Sequence, residues 1–456
     1  MKKNVELIID GGSIVTLDGA RRIIRNGSIA VDAGRIAGLG KRDEVRQAFS
    51  AARTIDAADD LVLPGFIDAH HHPVHYMTKG STDDLPFVPR IKHIVQPYER
   101  VLTEEEAYLN ATATFAEMLL SGTTCFNDAG SIQGEGVARA ARDAGIRGVL
   151  ALESVDVEDG APIPGPGGDW AAVAARAEAF VDRWNGAADG RLRAGFTLTD
   201  SRRVSDGLCL AVRSLADRYD TSIHGHMVLP KAPGATAPLH RYRDLGLLCP
   251  RLSLTHLGYL PEDEIALLVS NEVKGVHCPG TSTLGGLGVI GHGSIPEMLD
   301  AGMTIGLGSD AATVSRTLDM IRHMHMTAAA HKDARRADVV ISCFKALEMA
   351  TIDGAHALRW ADEIGSIEPG KRADIIVVDA RNIELHPNPH ANPVANLVYS
   401  GSGRLVETVI VNGTVVVENR RLKTIDVGAL LAELGDAAPR VLERIGARVK
   451  SQWPIA

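Results

Sequence analysis

The sequence predicts an α/β protein, a (β/α)8 TIM barrel carrying a small β-sandwich domain assembled from both termini. Three observations predict it. Eight apolar, β-like runs alternate with amphipathic, helix-like segments through the middle of the chain. Nearly every run ends in a polar or ionisable residue, as barrel strands do where they meet an active site. Short β runs with Gly turns occupy both ends of the chain.

The N-terminal runs VELIIDGGSIVTLDG and RNGSIAVDAGRIAGLG carry two turn signals, Asn26-Gly27 and Ala33-Gly34, and read as hairpins. Late in the chain GSIEPGKRADIIVVDAR and GRLVETVIVNGTVVVENRRL repeat the pattern. The expected division is 1–63 with 366–424 for the sandwich, 64–365 for the barrel, and 425–456 for a helical segment on its outside. The eight barrel runs are LVLPGFIDAH, GTTCFNDAG, IRGVLALES, RLRAGFTLTD, TSIHGHMV, RLSLTHLG, VKGVHCPG and MTIGLGSDA. Their ends present His70 and His72, Asp128, Glu153, Thr199 and Asp200, His226, His256, His277 and Asp310. TEEEAYLNATATFAEMLLS and SDGLCLAVRSLADRYD are two of the intervening helices. The Pro/Gly stretch 161–168 reads as a loop bordering the site.

At 456 residues the chain is long enough for a large core plus an accessory domain. A hydrophobic fraction of 45% and a charged fraction of 23% are ordinary for a soluble globular chain. The formal net charge of −9 argues against nucleic acid or an anionic membrane as a partner. No apolar run is long enough for a signal peptide or a membrane span, which points to the cytoplasm. The 5 cysteines are scattered without a CxxC spacing and read as isolated buried thiols.

Residues i and i+2 of a strand face the same side, so His70 and His72 can face one ion. The chain holds its own control: His323 and His325 share the spacing but lie in MIRHMHMTAAAHK, a helical stretch in which i and i+2 diverge. These two and His331 read as helix-surface or packing residues. An N/O site that leaves room for water needs further donors. The fifth run offers His224 and His226, and the eighth offers Asp310. Three imidazoles and a carboxylate suit one divalent cation, Zn2+, Fe2+ or Mn2+, and the ligand set does not choose among them; Zn2+ is the expected ion. No lysine ends the fourth run to form a bridging carbamate, so the site reads as mononuclear.

PGFIDAHHH, FAEMLLSGTTCFND, LTHLGYLPEDEIALL, VHCPGTSTLGGLG, IGLGSDAA, LEMATIDGAHAL and IGSIEPGKRADIIVVD, in this order, resemble the signature segments of the amidohydrolase superfamily. The resemblance is closest to its cytosine deaminase-like branch, with the triazine hydrolases and adenosine-homocysteine-type deaminases, and spans about residues 5 to 415. It implies metal ligands at His70, His72, His226 and Asp310, with His224 a non-ligand. It also implies that Asp310 relays a proton, that His256 polarises the attacked group, and that His277 lies near substrate. The expected chemistry is attack of hydroxide, generated at the cation, on an electrophilic carbon of a small nitrogen heterocycle.

One position departs from the resemblance. Deaminase-like members carry His-x-x-Glu on the fifth strand, and the Glu protonates the departing amine. Here that position is Leu229. Halide, nitrite and thiolate leave without protonation, so such leaving groups are expected beside amines. The alternatives are hydrolysis of a non-aromatic amide, carbamate or urea C–N bond, and deamination with a relocated acid. Glu153, Asp128 and Asp200 are the candidates for that acid, with Glu153 and Asp200 also expected to bind substrate. Asp200, Arg202 and Arg203 either read substrate or cap the next helix. The stretch from Met77 to Arg100 is expected to fold over the site, with Phe87, His93 and Tyr98 as pocket or packing residues. A homo-oligomer, dimer or larger, is the expected assembly.

Overall fold

The structure, a computed structural model, describes residues 1–82, 85–158, 160–163, 168–227, 239–447 and 453. Position 229 and residues 164–167 lie outside these.

The barrel strands are β1 (Phe66–His71), β2 (Thr123–Asp128), β3 (Arg147–Leu150), β4 (Leu192–Ala194 continuing as Phe196–Leu198), β5 (Ile223–His226), β6 (Leu252–Thr255), β7 (Lys274–His277) and β8 (Ile305–Leu307). Each pairs in parallel with its neighbours, and β4 is interrupted only at Gly195. The ring closes just beyond β8. His71 bridges Asp310 in parallel, the Asp310 N–H donates to the His70 carbonyl at 2.9 Å, and the His72 N–H donates to the Asp310 carbonyl at 2.6 Å. Gly308 permits this approach, since a Cβ there would meet the His70 Cβ at 2.9 Å.

Helices cover the ring. Glu104–Leu120 starts at a capping box formed by Thr103 and Glu106. Asp206–Arg218 is capped by the Ser205 side chain, which accepts from the Leu208 N–H. Asp200 is thus not the cap of that helix; it accepts the Arg202 N–H in the preceding turn. The C-terminal helix Val427–Arg444 lies outside the barrel, tied to Glu104–Leu120 by an Arg444–Glu106 ion pair.

Strands from both termini form one sheet of nine, ordered from the C-terminal hairpins through Ile375–Val378 to Leu61–Pro64 and the N-terminal strands. Its own core includes Leu7, Ile9, Ile29, Val31, Ile375 and Ile410. Two sequence readings change here. LVLPGFIDAH is not one strand: Leu61–Pro64 belongs to this sheet, and the barrel begins only after Gly65. A Cβ at Gly65 would meet the Thr124 Oγ1 at 2.1 Å, so the switch between sheets needs glycine. Ala33-Gly34 is a hairpin turn, but Asn26-Gly27 lies inside the strand Ile23–Asp32, at a register shift against Lys3–Val15.

A buried Arg147–Asp374 pair joins barrel to sheet, with two hydrogen bonds at 2.5 and 3.0 Å. All 5 cysteines are free and buried. No helix among the described residues is long and apolar enough to cross a membrane.

Candidate metal centre

The ends of β1, β5 and β6 and the residue closing β8 converge at one mouth of the barrel. His72 Nε2 and His226 Nε2 lie 3.1 Å apart. Asp310 Oδ1 lies 3.6 Å from His70 Nε2 and 3.7 Å from His72 Nε2. In a tetrahedral N/O site with bonds of ~2.05 Å, neighbouring donors stand roughly 3.3 Å apart. His70, His72 and His226 offer three nitrogens within 4.8 Å of one another, as a divalent cation needs, and Asp310 Oδ1 faces His70 and His72 as a fourth donor. His70 Nε2 is buried and has no hydrogen-bond partner, a cost that a ligated cation would remove.

The lone pair on that nitrogen has a structural origin. His70 Nδ1 lies 2.7 Å from His224 Nε2, and His224 Nδ1 lies 2.7 Å from Ser253 Oγ. With both Nδ1 atoms protonated, this chain across β1, β5 and β6 leaves His70 Nε2 bare and aimed at the centre. Burial, reinforced by neighbouring imidazoles, holds His72, His224 and His226 well below the ordinary histidine pKa. The rings are therefore neutral, as metal ligands must be. Burial would raise Asp310, but the imidazoles that face it, His70 first, then His256 and His72, outweigh it and hold the carboxyl well below its ordinary value.

His256 approaches from β6, its Nε2 3.5 Å from Asp310 Oδ2. Burial pushes its pKa down to about 4. His256 and Asp310 both adopt left-handed backbone, φ 61° and 65°. Such conformations in non-glycine residues concentrate at functional sites, where the surroundings hold them. Asp310 Oδ2 also accepts the Thr281 hydroxyl at 2.8 Å. Beneath the site Asp68 accepts the N–H of Ser309 at 2.9 Å and its hydroxyl, pinning β1 to the residue before Asp310. His71 Nδ1 lies 2.8 Å from the same hydroxyl, so the middle histidine of the triplet serves this buried network.

A cavity of about 840 Å3 opens over His72, His226, Asp310 and His256, with His70 buried out of its lining. One wall is apolar, with Phe87, Ile91, Val95, Leu287 and Val314; another is polar, with Glu99, Glu153, Asp200, Arg202 and Arg203. The stretch following Met77 covers the site as expected, but as the helical segments Phe87–Arg90, Ile91–Val95 and Gln96–Val101 rather than as a loop. Phe87 lines the cavity, His93 is exposed, and Tyr98 is buried with its hydroxyl on Asn110.

The three acid candidates separate. Asp128 is buried and does not line the cavity. Asp200 lines it but is ion-paired with Arg202 at 3.1 Å. Glu153 lines it too, with Arg203 at 3.7 Å, and burial followed by the charge of Glu99 pushes its pKa up to about 7. His277 is expected near substrate. It does not line the large cavity; its Nε2 turns to His331 Nε2, 3.4 Å away inside the wall. His323 and His331 are buried on the helix Met320–Arg335, while His325 is exposed there. The residues 161–163 and 168 are absent from the cavity lining.

The sequence did not single out Glu99 or Thr281. His75 stacks on His72, rings 5.1 Å apart, and its Nε2 lies 2.8 Å from Glu99 Oε1. The run PGTST after the seventh strand was the one available signal for Thr281.

Residues 61–416 match the family model described as "Amidohydrolase family". The 5-methylthioadenosine/S-adenosylhomocysteine deaminase of Syntrophomonas wolfei is 32% identical over 447 residues, covering 96% of this chain and 100% of that protein. A protein of the same description from Nitratidesulfovibrio vulgaris (strain DP4) is 33% identical, covering 97% and 98%. An adenosine deaminase from Xanthomonas campestris, solved with bound zinc, superposes with a TM-score of 0.88 at 26% identity, covering 98% of this chain and 100% of that one. The atrazine chlorohydrolase of Arthrobacter aurescens TC1, at 23% identity and a TM-score of 0.86 over 95% of this chain and 100% of that one, shares the fold. The chain belongs to the amidohydrolase family and is a metal-dependent hydrolase.

Proposed function

We propose that the protein is a mononuclear zinc hydrolase that displaces a substituent from a small nitrogen heterocycle, with His70, His72, His226 and Asp310 as metal ligands. The observation that carries this reading is the pair of overlapping donor clusters, His70–His72–His226 and His70–His256–Asp310, beneath one partly apolar cavity lined by His72, His226, His256 and Asp310. A cation held there lowers the pKa of water and polarises the electrophile. The protein's own residues do the rest. Asp310 takes the nucleophile's proton on Oδ2, the oxygen facing His256. His256, neutral near pH 7, offers Nε2–H to the negative charge that develops on the attacked group. Phe87, Ile91, Val95 and Leu287 receive a flat ring and exclude water.

Two leaving-group classes remain within this reading. Leu229 supplies no proton, which favours halide, nitrite or thiolate. The relatives described as deaminases and the raised Glu153 carboxyl favour an amine, with Glu153 as the relocated acid and Asp200 beside it as a substrate contact. The test is a panel of adenosine, 6-chloropurine riboside, an aminotriazine, a chlorotriazine and non-aromatic amides, carbamates and ureas. Released ammonia, halide and carboxylate are assayed with zinc-, iron- and manganese-loaded protein. Ring hydroxylation with loss of the substituent is expected. Cleavage of the non-aromatic compounds alone would replace this reading with an amide, carbamate or urea hydrolase. A cytoplasmic homo-oligomer is part of the proposal, and light scattering tests the assembly.

A further inference from the structure

Asp310 carries two tasks in the proposed site, ligand and proton acceptor, and a carboxylate serves both only if its two oxygens are kept apart. Oδ1 faces His70 and His72, and Oδ2 faces His256. Nothing on Asp310 itself fixes this. Rotation about its terminal bond exchanges the oxygens, because such sp3–sp2 torsions are broad.

The exchange is opposed from outside. Thr281, fully buried in the short helix Pro279–Leu284 after β7, donates its hydroxyl to Oδ2 at 2.8 Å. The Thr281 carbonyl accepts the Gly285 N–H at 2.8 Å, so the turn that carries the hydroxyl is itself tied down. Among the described residues no other hydroxyl bonds this carboxylate. We infer that Thr281 is a positioning residue that sets the plane of the Asp310 carboxylate, reserving Oδ1 for the metal and Oδ2 for the proton. The inference rests on the proposed ligand set. A hydroxyl suits the role because it donates to the ionised carboxylate and can accept from the protonated one. Outer-shell partners of ligating carboxylates typically carry ~10–100-fold of metal affinity or activity.

The test compares parent, Thr281→Val and Thr281→Ser as full-length protein. Valine keeps the shape and removes the hydroxyl; serine keeps the hydroxyl. Zn2+ affinity is read by competition with a chromophoric chelator, and the Co2+-loaded forms by visible absorption, which reports ligand geometry without turnover. Thr281→Val is expected to bind Zn2+ about 10-fold more weakly and to shift the Co2+ bands. Thr281→Ser is expected to restore both. Against adenosine or 6-chloropurine riboside, kcat should fall with KM little changed. An unchanged Zn2+ affinity and Co2+ spectrum in Thr281→Val would overturn the inference, as would a loss that serine does not rescue. Parent protein that takes up neither metal would overturn the ligand set and this inference with it; normal uptake in both parent and Thr281→Val overturns the inference alone.

Discussion

Asp128 ends β2 with one carboxylate oxygen satisfied and the other not. Oδ1 accepts the Gly130 N–H and the Ser131 hydroxyl, each at 3.0 Å, while Oδ2 is buried without a partner. Burial pushes the carboxyl from 3.8 up to about 7, and the lowering by Gly130, Ser131 and the Ala151 backbone offsets only part of that. Because the folded value lies above the unfolded one, this group's stabilising effect is intact below about pH 4, where both states hold the proton. It is lost as pH rises towards 7, because over that range only the unfolded chain releases it. From 3.8 to about 7 the loss amounts to about 4 kcal/mol at ~1.4 kcal/mol per pH unit. Asp128→Asn keeps the shape and the Oδ1 acceptor, resembles the protonated acid, and does not titrate. Between pH 5 and pH 8 the variant should therefore gain ~3 kcal/mol on the parent. With an unfolding entropy of ~2.1 cal/mol/K per residue over 456 residues, that is a relative rise in Tm of ~3 °C. Differential scanning calorimetry at the two pH values, at one scan rate, measures it. A Tm difference between variant and parent that stays constant from pH 5 to pH 8 would refute the reasoning, because Asp128 would then be ionised in the fold.

Three further outcomes bear on the chemistry. His72→Ala or Asp310→Ala should lower bound metal below about 0.2 per chain and abolish turnover; elemental analysis and a product assay check both, and retained activity removes the residue from the ligand set. Glu153, raised to about 7, is protonated below that pH and can donate. If it serves a departing amine, kcat should fall as pH rises through about 7, and Glu153→Gln should abolish that limb of the pH–rate profile; an unchanged profile excludes Glu153 as the donor. Leu229→Glu should raise amine release by ~100-fold or more where a missing acid limits the rate, the usual contribution of a positioned general acid. No change would mean that the cavity already holds its acid.

The side chains that meet at the barrel mouth were legible because a parallel barrel gathers strand ends there, so residues 70, 72, 226, 256 and 310 announce themselves by position. What was illegible depended on partners. LVLP is apolar enough for a barrel strand, and only its pairing with Ile375–Val378 assigns it to the terminal sheet. Asn26-Gly27 has the composition of a hairpin turn, yet Asn26 takes its positive φ, 47°, inside a continuous strand. A Cβ on Gly27 would meet Ile14 Cδ1 at 2.6 Å, so the glycine serves packing there. His277 ends a strand as predicted but faces His331, a distinction of face that spacing alone does not carry. Thr281 and Glu99 lie outside the strands, where hydroxyls and carboxylates are common and only a contact separates one from the next.

The closure of the ring has a consequence for how the centre comes into being. The backbone that seals β1 against β8 is that of His70, His72 and Asp310, whose side chains are also three of the proposed ligands. A metal ion held by all three would act as a rivet through the last seam, loaded only once residues 240 apart in sequence have met. An N-terminal half-barrel would own the histidine pair and no carboxylate to complete it. High-affinity metal uptake during refolding would then time the sealing of the barrel, and chelation would loosen that seam before any other.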